Sequence, residues 1–131
     1  LKPTHIYVDV ILDLFSKNLI KTCSHITGGG VTENLPRSIS KNTMAVINLN
    51  KWKLPAIFKW ISSFNVSQNE MLRTFNCGYG MVIIIDKKNL SRVRKVIKKY
   101  KFKSDIIGNV EIKKSAKEKS IKFIGRLNFN D

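Results

Sequence analysis

Three consecutive glycines, Gly28, Gly29 and Gly30, lie between a short apolar segment and a polar stretch, in the sequence HITGGGVTENLPR. Glycine adopts positive φ readily and lets another group come within contact distance of the main chain. Anions favour the free amides of such a loop where it leads into a helix. Arg37, which ends the stretch, is a candidate for an anion contact. The alternative is a tight strand-to-helix turn in which Asn34 and Arg37 pair inside the domain.

A second cluster, RTFNCGYGM at residues 73–81, again places an arginine and polar side chains close to two glycines, just before a predicted strand. Because both clusters lie next to strand ends, they could meet at one cleft, but the sequence does not show whether they do. His25 lies beside the first cluster, at the end of a predicted strand. For a lone histidine we favour a structural role, so His25 is only a weak catalytic candidate.

Other catalytic and metal-binding patterns are missing from the sequence. The few acidic residues and two histidines give no Ser-His-Asp set, no paired carboxylates and no zinc spacing. The glycines are followed by neither Lys-Ser nor Lys-Thr, and their spacing is not that of a dinucleotide-binding loop. Cys23 and Cys77 are too few and too far apart for a metal-ligand pattern or a disulfide framework, so we expect buried or reduced thiols. We therefore predict no metal site within this chain.

The strongly basic composition suggests nucleic acid as a partner, since the 131 residues carry a formal net charge of +15. From Lys87 to Arg126, however, lysines alternate with apolar residues, as on the solvated faces of a helix and strands. Surfaces that read bases or clamp phosphates favour arginine and interleaved aromatic residues, which are few here. We therefore expect no specific nucleic-acid binding and attribute the lysine excess to codon preference.

The length predicts a single domain over residues 1–131. The chain begins at Leu1, and the sequence shows neither the regions of a signal peptide nor an apolar stretch long enough to span a bilayer. We expect a soluble, cytoplasmic domain with no membrane partner, which is part of a longer polypeptide.

Hydrophobic periodicity predicts four helices and five strands, and a further helix is expected to start directly after the three glycines. The helices fall in residues 3–18, 56–64, 66–75 and 89–100, and the strands in residues 22–26, 43–49, 81–85, 105–112 and 120–125. The unbroken apolar run from Met81 to Ile85 predicts a central strand with both faces covered. The order of the elements predicts an α/β (α+β) domain, layered around a mixed sheet.

Several expectations concern individual helices. Thr4 should cap the first helix, whose apolar stripe runs as far as Phe15. The second helix should begin at Pro55, and the third should be capped by Ser67 with Glu70 three residues on. The residues expected to face inward on the second helix, tryptophan included as core material, are Ile57, Phe58, Trp60 and Ile61. Those expected on the last helix are Leu90, Val93, Val96 or Ile97, and Tyr100.

Four phrases of the sequence, PTHIYV, HITGGGVTENLPR, NEMLRTFNCGYGM and IIGNV, together carry a family resemblance. In this order and at these separations they resemble the C-terminal domain of aminoimidazole ribonucleotide synthetase, also called phosphoribosylformylglycinamidine cyclo-ligase. The resemblance covers nearly the whole chain and weakens only after about Lys113. It implies a three-layer α/β/α domain that closes one side of an active-site cleft.

The resemblance also implies a function in purine biosynthesis. Enzymes of this family use ATP and Mg²⁺ to close formylglycinamidine ribonucleotide into the imidazole ring of aminoimidazole ribonucleotide, with release of ADP and phosphate. In the usual proposal ATP phosphorylates the formyl oxygen and the amidine nitrogen then attacks, so that the protein chiefly positions groups and stabilises charge. An N-terminal domain, absent from this chain, carries most ATP and metal contacts and most of the homodimer interface. We therefore expect the chain alone to be inactive.

Residue by residue, the resemblance implies two walls of a cleft that receives phosphate or ribose oxygens. The first wall comprises Thr27, Gly28, Gly29, Gly30, Asn34 and Arg37, and the facing wall comprises Arg73, Asn76, Gly78 and Gly80. Two alternatives stay open. One is a related ATP-using enzyme of the same two-domain plan, such as formylglycinamidine ribonucleotide synthetase, selenophosphate synthetase or thiamine-monophosphate kinase. The other is a basic nucleic-acid-binding module. The phrase RTFNCGYGM favours the cyclo-ligase, because the related ATP-using enzymes match it less well.

Overall fold

The computed structural model describes residues 3–130, which form an α+β domain. Its helices are α1 (Val8–Ser16), α2 (Gly30–Asn34), α3 (Ala56–Ser62), α4 (Gln68–Thr74) and α5 (Leu90–Lys99). Its strands are β1 (Thr22–His25), β2 (Thr43–Asn48), β3 (Met81–Ile84), β4 (Gly108–Ile112) and β5 (Ile121–Ile124). The predicted α+β class and mixed sheet are confirmed, and the described strands are divided between two sheets.

The mixed sheet has β2 in the middle. Strand β4 pairs with β2 in antiparallel orientation and β5 pairs with β2 in parallel orientation. Four consecutive residues of β2, residues 44–47, are buried. A strand that is buried on both faces in this way reads as a continuous apolar run. Strand β2, and not β3, is therefore the central strand of the domain.

Strand β3 pairs only with β1 within the described residues, so the prediction of a central strand from Met81 to Ile85 is wrong. Its two faces are nevertheless both covered, as predicted. Val82 and Ile84 pack into a larger apolar cluster that includes the mixed sheet, whereas Ile83 packs into a smaller cluster with α1 and α5. The apolar run thus indicated covered faces, but it could not indicate how many strands lie alongside.

Helix α1 begins at Val8, so the prediction that Thr4 is its N-cap is wrong. The residues before the helix are not helical, and the ring of Tyr7 instead stacks on that of Phe102 with 5.4 Å between the centroids. Phe15 was predicted to end the apolar stripe of this helix, but it is 42% exposed, so this prediction is also wrong. The buried residues of the helix are Val10 and Leu14.

Helix α3 follows Pro55 as predicted, but its orientation differs from the prediction. Phe58 and Ile61 are partly buried against the larger cluster. Ile57 and Trp60 were expected to face inward, yet they are 54% and 60% exposed. Both pairs are spaced three residues apart, so this seven-residue helix carries two apolar stripes and has room to bury only one.

Trp52 is the tryptophan that lies in the core. It is 4% exposed, and its indole N–H donates to the backbone carbonyl of Cys77 at 2.9 Å. Cys77 is itself fully buried, and burial raises the pKa of its thiol to about 12. The reactive thiolate is therefore scarce at neutral pH. Both Cys77 and the half-buried Cys23 are free thiols, as predicted.

Helices α4 and α5 agree with their predictions. The Ser67 hydroxyl accepts a hydrogen bond from the backbone N–H of Glu70 at 3.2 Å and so caps α4. The Glu70 carboxylate accepts a hydrogen bond from Thr74 at 2.8 Å, which makes a contact within the helix. In α5 the buried residues are Val93, Val96 and Ile97, with Leu90 and Tyr100 half-buried beside them.

Asp13 links α1 to α5. Its carboxylate accepts hydrogen bonds from Lys17, which directly follows α1, from Lys99 at 3.3 Å and from the Tyr100 hydroxyl at 2.9 Å. The bond from Lys17, followed by that from Tyr100, lowers the pKa of Asp13 to about 2. The two helices that cover the outer face of the two-stranded sheet are thus joined by a carboxylate that is ionised at neutral pH.

We expect Asp13→Asn to lower the melting temperature near neutral pH and to have little effect in strong acid. A carboxyl whose folded pKa is depressed stabilises the fold above its unfolded pKa of about 3.9. That contribution is lost as the pH falls through the folded value of about 2. Thermal unfolding followed by circular dichroism across this range measures the effect, with Asp9→Asn in the same helix as the control. A melting difference that is independent of pH would contradict this account.

Candidate anion site at the glycine loop

The glycine loop, residues 27–30, links the end of β1 to the start of α2. Gly29 has a φ of 93° and Gly30 a φ of 57°, both in the left-handed region that favours glycine. The N–H of Gly30 donates to the carbonyl of Thr27 at 3.0 Å, and the N–H of Glu33 donates to that of Gly29 at 3.1 Å. The chain therefore turns sharply into the helix, and the first two residues of the loop are exposed.

Asn34 holds the loop through its side chain. Its side-chain amide donates to the carbonyl oxygens of Gly30 at 2.8 Å, Gly28 at 3.0 Å and Thr27 at 3.4 Å. Because this amino group contacts three main-chain carbonyls, Asn34 sets the shape of the loop. For Asn34, this is the internal pairing expected if the glycines form a tight turn between a strand and a helix.

Two of the three glycines are required by the domain's own structure. A Cβ at Gly30 would lie 2.1 Å from the backbone oxygen of Leu72 and 2.8 Å from that of Phe75, because the loop packs against the end of α4. A Cβ at Gly29 would lie 2.7 Å from Oε2 of Glu33. Both positions also have a positive φ, which strains any other residue.

Gly28 differs, because nothing in the domain requires a glycine there. Its φ is not positive, the residue is exposed, and a Cβ would have no heavy atom within 4 Å. A side chain could thus be added at this position without strain or collision. The space in front of Gly28 is open to a group from outside the domain, and that group could approach the main chain closely.

Arg37 and Arg73 converge on Glu33 beside the loop. Nε of Arg73 lies 3.3 Å from Oε1 of Glu33, and Nη2 of Arg37 lies 3.8 Å from Oε2. Arg37 belongs to the 3₁₀ turn Leu35–Ser38 and Arg73 to the last turn of α4, so two separate segments present guanidinium groups here. The arginine side chains are 72% and 66% exposed, which leaves N–H donors accessible to a ligand.

The second cluster lies along the glycine loop. The N–H of Ile26 donates to the carbonyl of Gly80 at 2.9 Å, which ties the two clusters together. Asn76 accepts a hydrogen bond from the N–H of Gly78 at 3.0 Å and so closes a tight turn. A Cβ at Gly78 would lie 2.6 Å from the ring of the proline before α3, and one at Gly80 would lie 2.2 Å from the hydroxyl of Tyr7. These two glycines therefore serve internal packing.

Tyr79 anchors this second cluster. Its hydroxyl donates to the carboxylate of Asp105 at 3.0 Å, and Lys53 pairs with the same carboxylate. Burial raises the pKa of Tyr79 to about 12, and the neighbouring Asp105 carboxylate adds to the effect. The hydrogen bond from Lys53 lowers the pKa of Asp105. Tyr79 is therefore a hydrogen-bond donor throughout the physiological pH range, and the turn before it is fixed.

The other predicted site residues lie at the rim of the loop. His25 is exposed at the end of β1, and its ring packs edge-on against that of Tyr7 with 5.8 Å between the centroids. Thr27 is exposed next to Gly28. The structure thus brings the glycine loop, Arg37 and Arg73 to one surface. Asn34 holds the loop carbonyls, and Gly80 of the second cluster accepts the N–H of Ile26 beside the loop.

Glu33 is the residue of this surface that sequence reasoning did not single out. It lies four residues before Arg37, a spacing that allows an ion pair in a helical segment. Its second partner, Arg73, is 40 residues away in the sequence. A contact at such a separation has no local sequence signal, so the convergence on Glu33 is visible only in the folded chain.

Neither a cluster of metal-ligating side chains nor a membrane-spanning helix is found in residues 3–130. They contain no group of three or more His, Cys, Asp or Glu side chains that could hold a metal ion. Within the same range, every helix is too short or too polar to cross a bilayer.

The fold and this surface define a class of protein: an α+β domain that presents a glycine-rich loop and two arginines at an open surface. The family model described as AIR synthase related protein, C-terminal domain, matches residues 1–119. The chain belongs to this family, and the family predicted from the four sequence phrases is confirmed.

The curated proteins to which this chain is similar are named as an enzyme of this family. Over 93 residues, or 70% of this chain, it is 50% identical to the phosphoribosylformylglycinamidine cyclo-ligase of Neisseria gonorrhoeae, of which this match covers 27%. Over 96 residues, or 72% of this chain, it is 46% identical to the enzyme of the same name from Neisseria meningitidis serogroup C, with 28% of that protein covered. The chain thus spans about a quarter of the length of the curated relatives it matches.

Proposed function

We propose that this chain is the C-terminal domain of a phosphoribosylformylglycinamidine cyclo-ligase that acts in purine biosynthesis in the cytoplasm. The reaction is the ATP-dependent closure of formylglycinamidine ribonucleotide to aminoimidazole ribonucleotide. The names of the relatives support this enzyme over the other ATP-using enzymes that share its two-domain plan. The observation that carries a ligand-binding role is Gly28, whose open main chain belongs to the loop that Glu33 and two arginines border.

In this proposal the domain binds and orients the substrate. The main chain at Thr27 and Gly28 receives phosphate or ribose oxygens at close range, and Arg37 and Arg73 add charge-assisted hydrogen bonds. Asn34 fixes the orientation of the loop carbonyls, since its amide contacts three of them. The carbonyl of Gly80 supports the loop by accepting the N–H of Ile26, and Asn76 and Gly78 form a tight turn in the same cluster. Such fixed donors lower the barrier by positioning and by charge stabilisation.

ATP and Mg²⁺ belong, in this proposal, mainly to an N-terminal domain outside the present sequence. When bound, ATP supplies the phosphoryl group that activates the formyl oxygen of the substrate. We assign the Mg²⁺ ligands to that other domain, as the family resemblance implies. We assign most of the homodimer contacts to it as well.

A chimera tests the proposal. In it, this chain replaces the matching segment of the Neisseria gonorrhoeae cyclo-ligase, and formation of aminoimidazole ribonucleotide and ADP is measured. We expect the chimera to form both products from formylglycinamidine ribonucleotide, because this domain supplies the missing side of the cleft. We expect neither product from the 131-residue chain alone. We also expect neither product from the Neisseria gonorrhoeae enzyme that lacks the matching segment.

Nucleotide binding by the chimera is the control for folding of the remainder of the enzyme. A chimera that binds ATP and remains dimeric but forms no product would contradict the proposal. Release of ADP from the 131-residue chain alone, dependent on formylglycinamidine ribonucleotide, would contradict the assignment of the ATP contacts to another domain.

A further inference from the structure

We propose that Glu33 occupies the position of a phosphomonoester group in the unliganded domain and is displaced when such a group binds between Arg37 and Arg73. This inference rests on the proposed function, because it takes the glycine loop to be the substrate-binding surface. It adds a residue that acts on affinity by competing with the ligand for the same two guanidinium groups.

The geometry places one carboxylate oxygen opposite each arginine. Oε1 of Glu33 lies 3.3 Å from Nε of Arg73, and Oε2 lies 3.8 Å from Nη2 of Arg37. The two arginines come from segments 36 positions apart in the sequence, so their convergence depends on the packing of α2 against α4. Two guanidinium groups on opposite sides of one anion are a common way to bind a phosphate.

The same carboxylate lies against the glycine loop. Oε2 of Glu33 is 2.7 Å from the position that a Cβ of Gly29 would occupy, so the side chain passes directly over the main chain of the loop. Next to it, the main chain at Gly28 is open. The carboxylate, the two guanidinium groups and the open main chain therefore lie next to one another on one surface.

The electrostatics favour exchange of the carboxylate for a phosphate. Glu33 carries one negative charge and its side chain is 41% exposed, so each of its ion pairs with Arg37 and Arg73 is weak in water. A phosphomonoester carries a charge of about −1.5 to −2 at neutral pH and offers three strong acceptor oxygens. It can therefore satisfy both arginines and accept a main-chain N–H, while repulsion drives the carboxylate away.

The fold does not depend on Glu33. Helix α2 is held to α4 by the packing of Gly30 against Leu72, and the Thr32 hydroxyl donates to the carbonyl of Leu72 at 3.0 Å. Asn34 independently fixes the loop carbonyls. Since these contacts are separate from the carboxylate of Glu33, its replacement leaves the loop in place.

The test is a titration of the ¹⁵N-labelled chain with ribose 5-phosphate at low salt, followed by NMR shifts of the glycine-loop amides. We expect Glu33→Gln to bind about three- to tenfold more tightly than the wild type, because two weak ion pairs no longer compete. Glu33→Ala is the second variant, with the same expectation. The control is Glu70→Gln, whose carboxylate contacts Thr74 in α4, and it should bind like the wild type. Unphosphorylated ribose should produce no shifts.

The outcomes separate the two proposals. Unchanged or weaker binding by both Glu33 variants, with clear binding by the wild type, would overturn the competition and leave the anion site in place. In that case Glu33 would order the arginines or contact the ligand itself. If neither the wild type nor the variants show shifts at the loop amides, both the role of Glu33 and the phosphate-binding role of this loop are overturned.

Discussion

Gly28→Val is expected to lower the kcat/KM of the intact enzyme by about 100-fold, with a change in the free energy of unfolding below about 0.5 kcal/mol. A Cβ at this exposed position meets no heavy atom of the domain within 4 Å, so the fold accommodates the side chain. The isopropyl group would instead occupy the space that the substrate needs to reach the main chain. Steady-state kinetics of the chimera or the natural full-length enzyme, together with urea unfolding of the same protein, measures both quantities.

Gly28→Ala is the graded control for this prediction. Its single methyl group should reduce kcat/KM less than valine does and should also leave the stability unchanged. If Gly28→Val kept full activity, we would conclude that the ligand does not bind at the loop and that Gly28 has no role in binding. Large and equal losses of activity and stability would show that the position is not as open as the structure indicates.

Gly30→Ala is expected to destabilise the domain by about 2–4 kcal/mol. The added Cβ would lie 2.1 Å from the backbone oxygen of Leu72, and the residue has a φ of 57°. The collision involves main chain, which cannot rotate away as a side chain can, so the loop and the end of α4 must move apart. The midpoint and slope of urea unfolding of the 131-residue chain measure the effect.

The matched comparison for Gly30 is Gly28→Ala, two residues earlier in the same loop. Both variants add one methyl group to a glycine, so any general effect of losing glycine is common to them. Stability losses below about 0.5 kcal/mol in both variants would contradict the close packing of the loop against α4.

The family and most elements could be predicted from the sequence because their signals are local. The cap of α4 by Ser67 and the buried stripe of α5 each depend on residues within a few positions of one another. The four phrases that carry the family resemblance are likewise read directly from the chain. The short helix α3 marks the limit of such signals, because it carries two apolar stripes and only the surrounding packing decides that Trp60 faces outward.

The site itself could be predicted only in part. Its glycines and Arg37 stand out as residue types, but the sequence does not show which glycine is needed for packing and which is open. The distinction between Gly30 and Gly28 depends on the position of the Leu72 carbonyl, 42 positions beyond Gly30. The ion pair between Glu33 and Arg73 likewise depends on α4, which carries Arg73. Long-range packing of α2 on α4 therefore creates the site, and no local pattern encodes it.

The two-stranded sheet separates two apolar clusters, and this separation has an evolutionary consequence. Helix α5, which carries five of the 24 Lys and Arg residues, buries Val93, Val96 and Ile97 in the smaller cluster, whereas Val31 and Leu72 beside the glycine loop lie in the larger one. A lineage whose codons drift toward lysine can therefore gain lysines on the outer side of α5. Such changes leave the shape of the glycine loop, which packs in the other cluster, unaltered. Under our proposal, nucleotide bias acts on the outer side of α5, whereas ligand binding constrains the residues around the glycine loop.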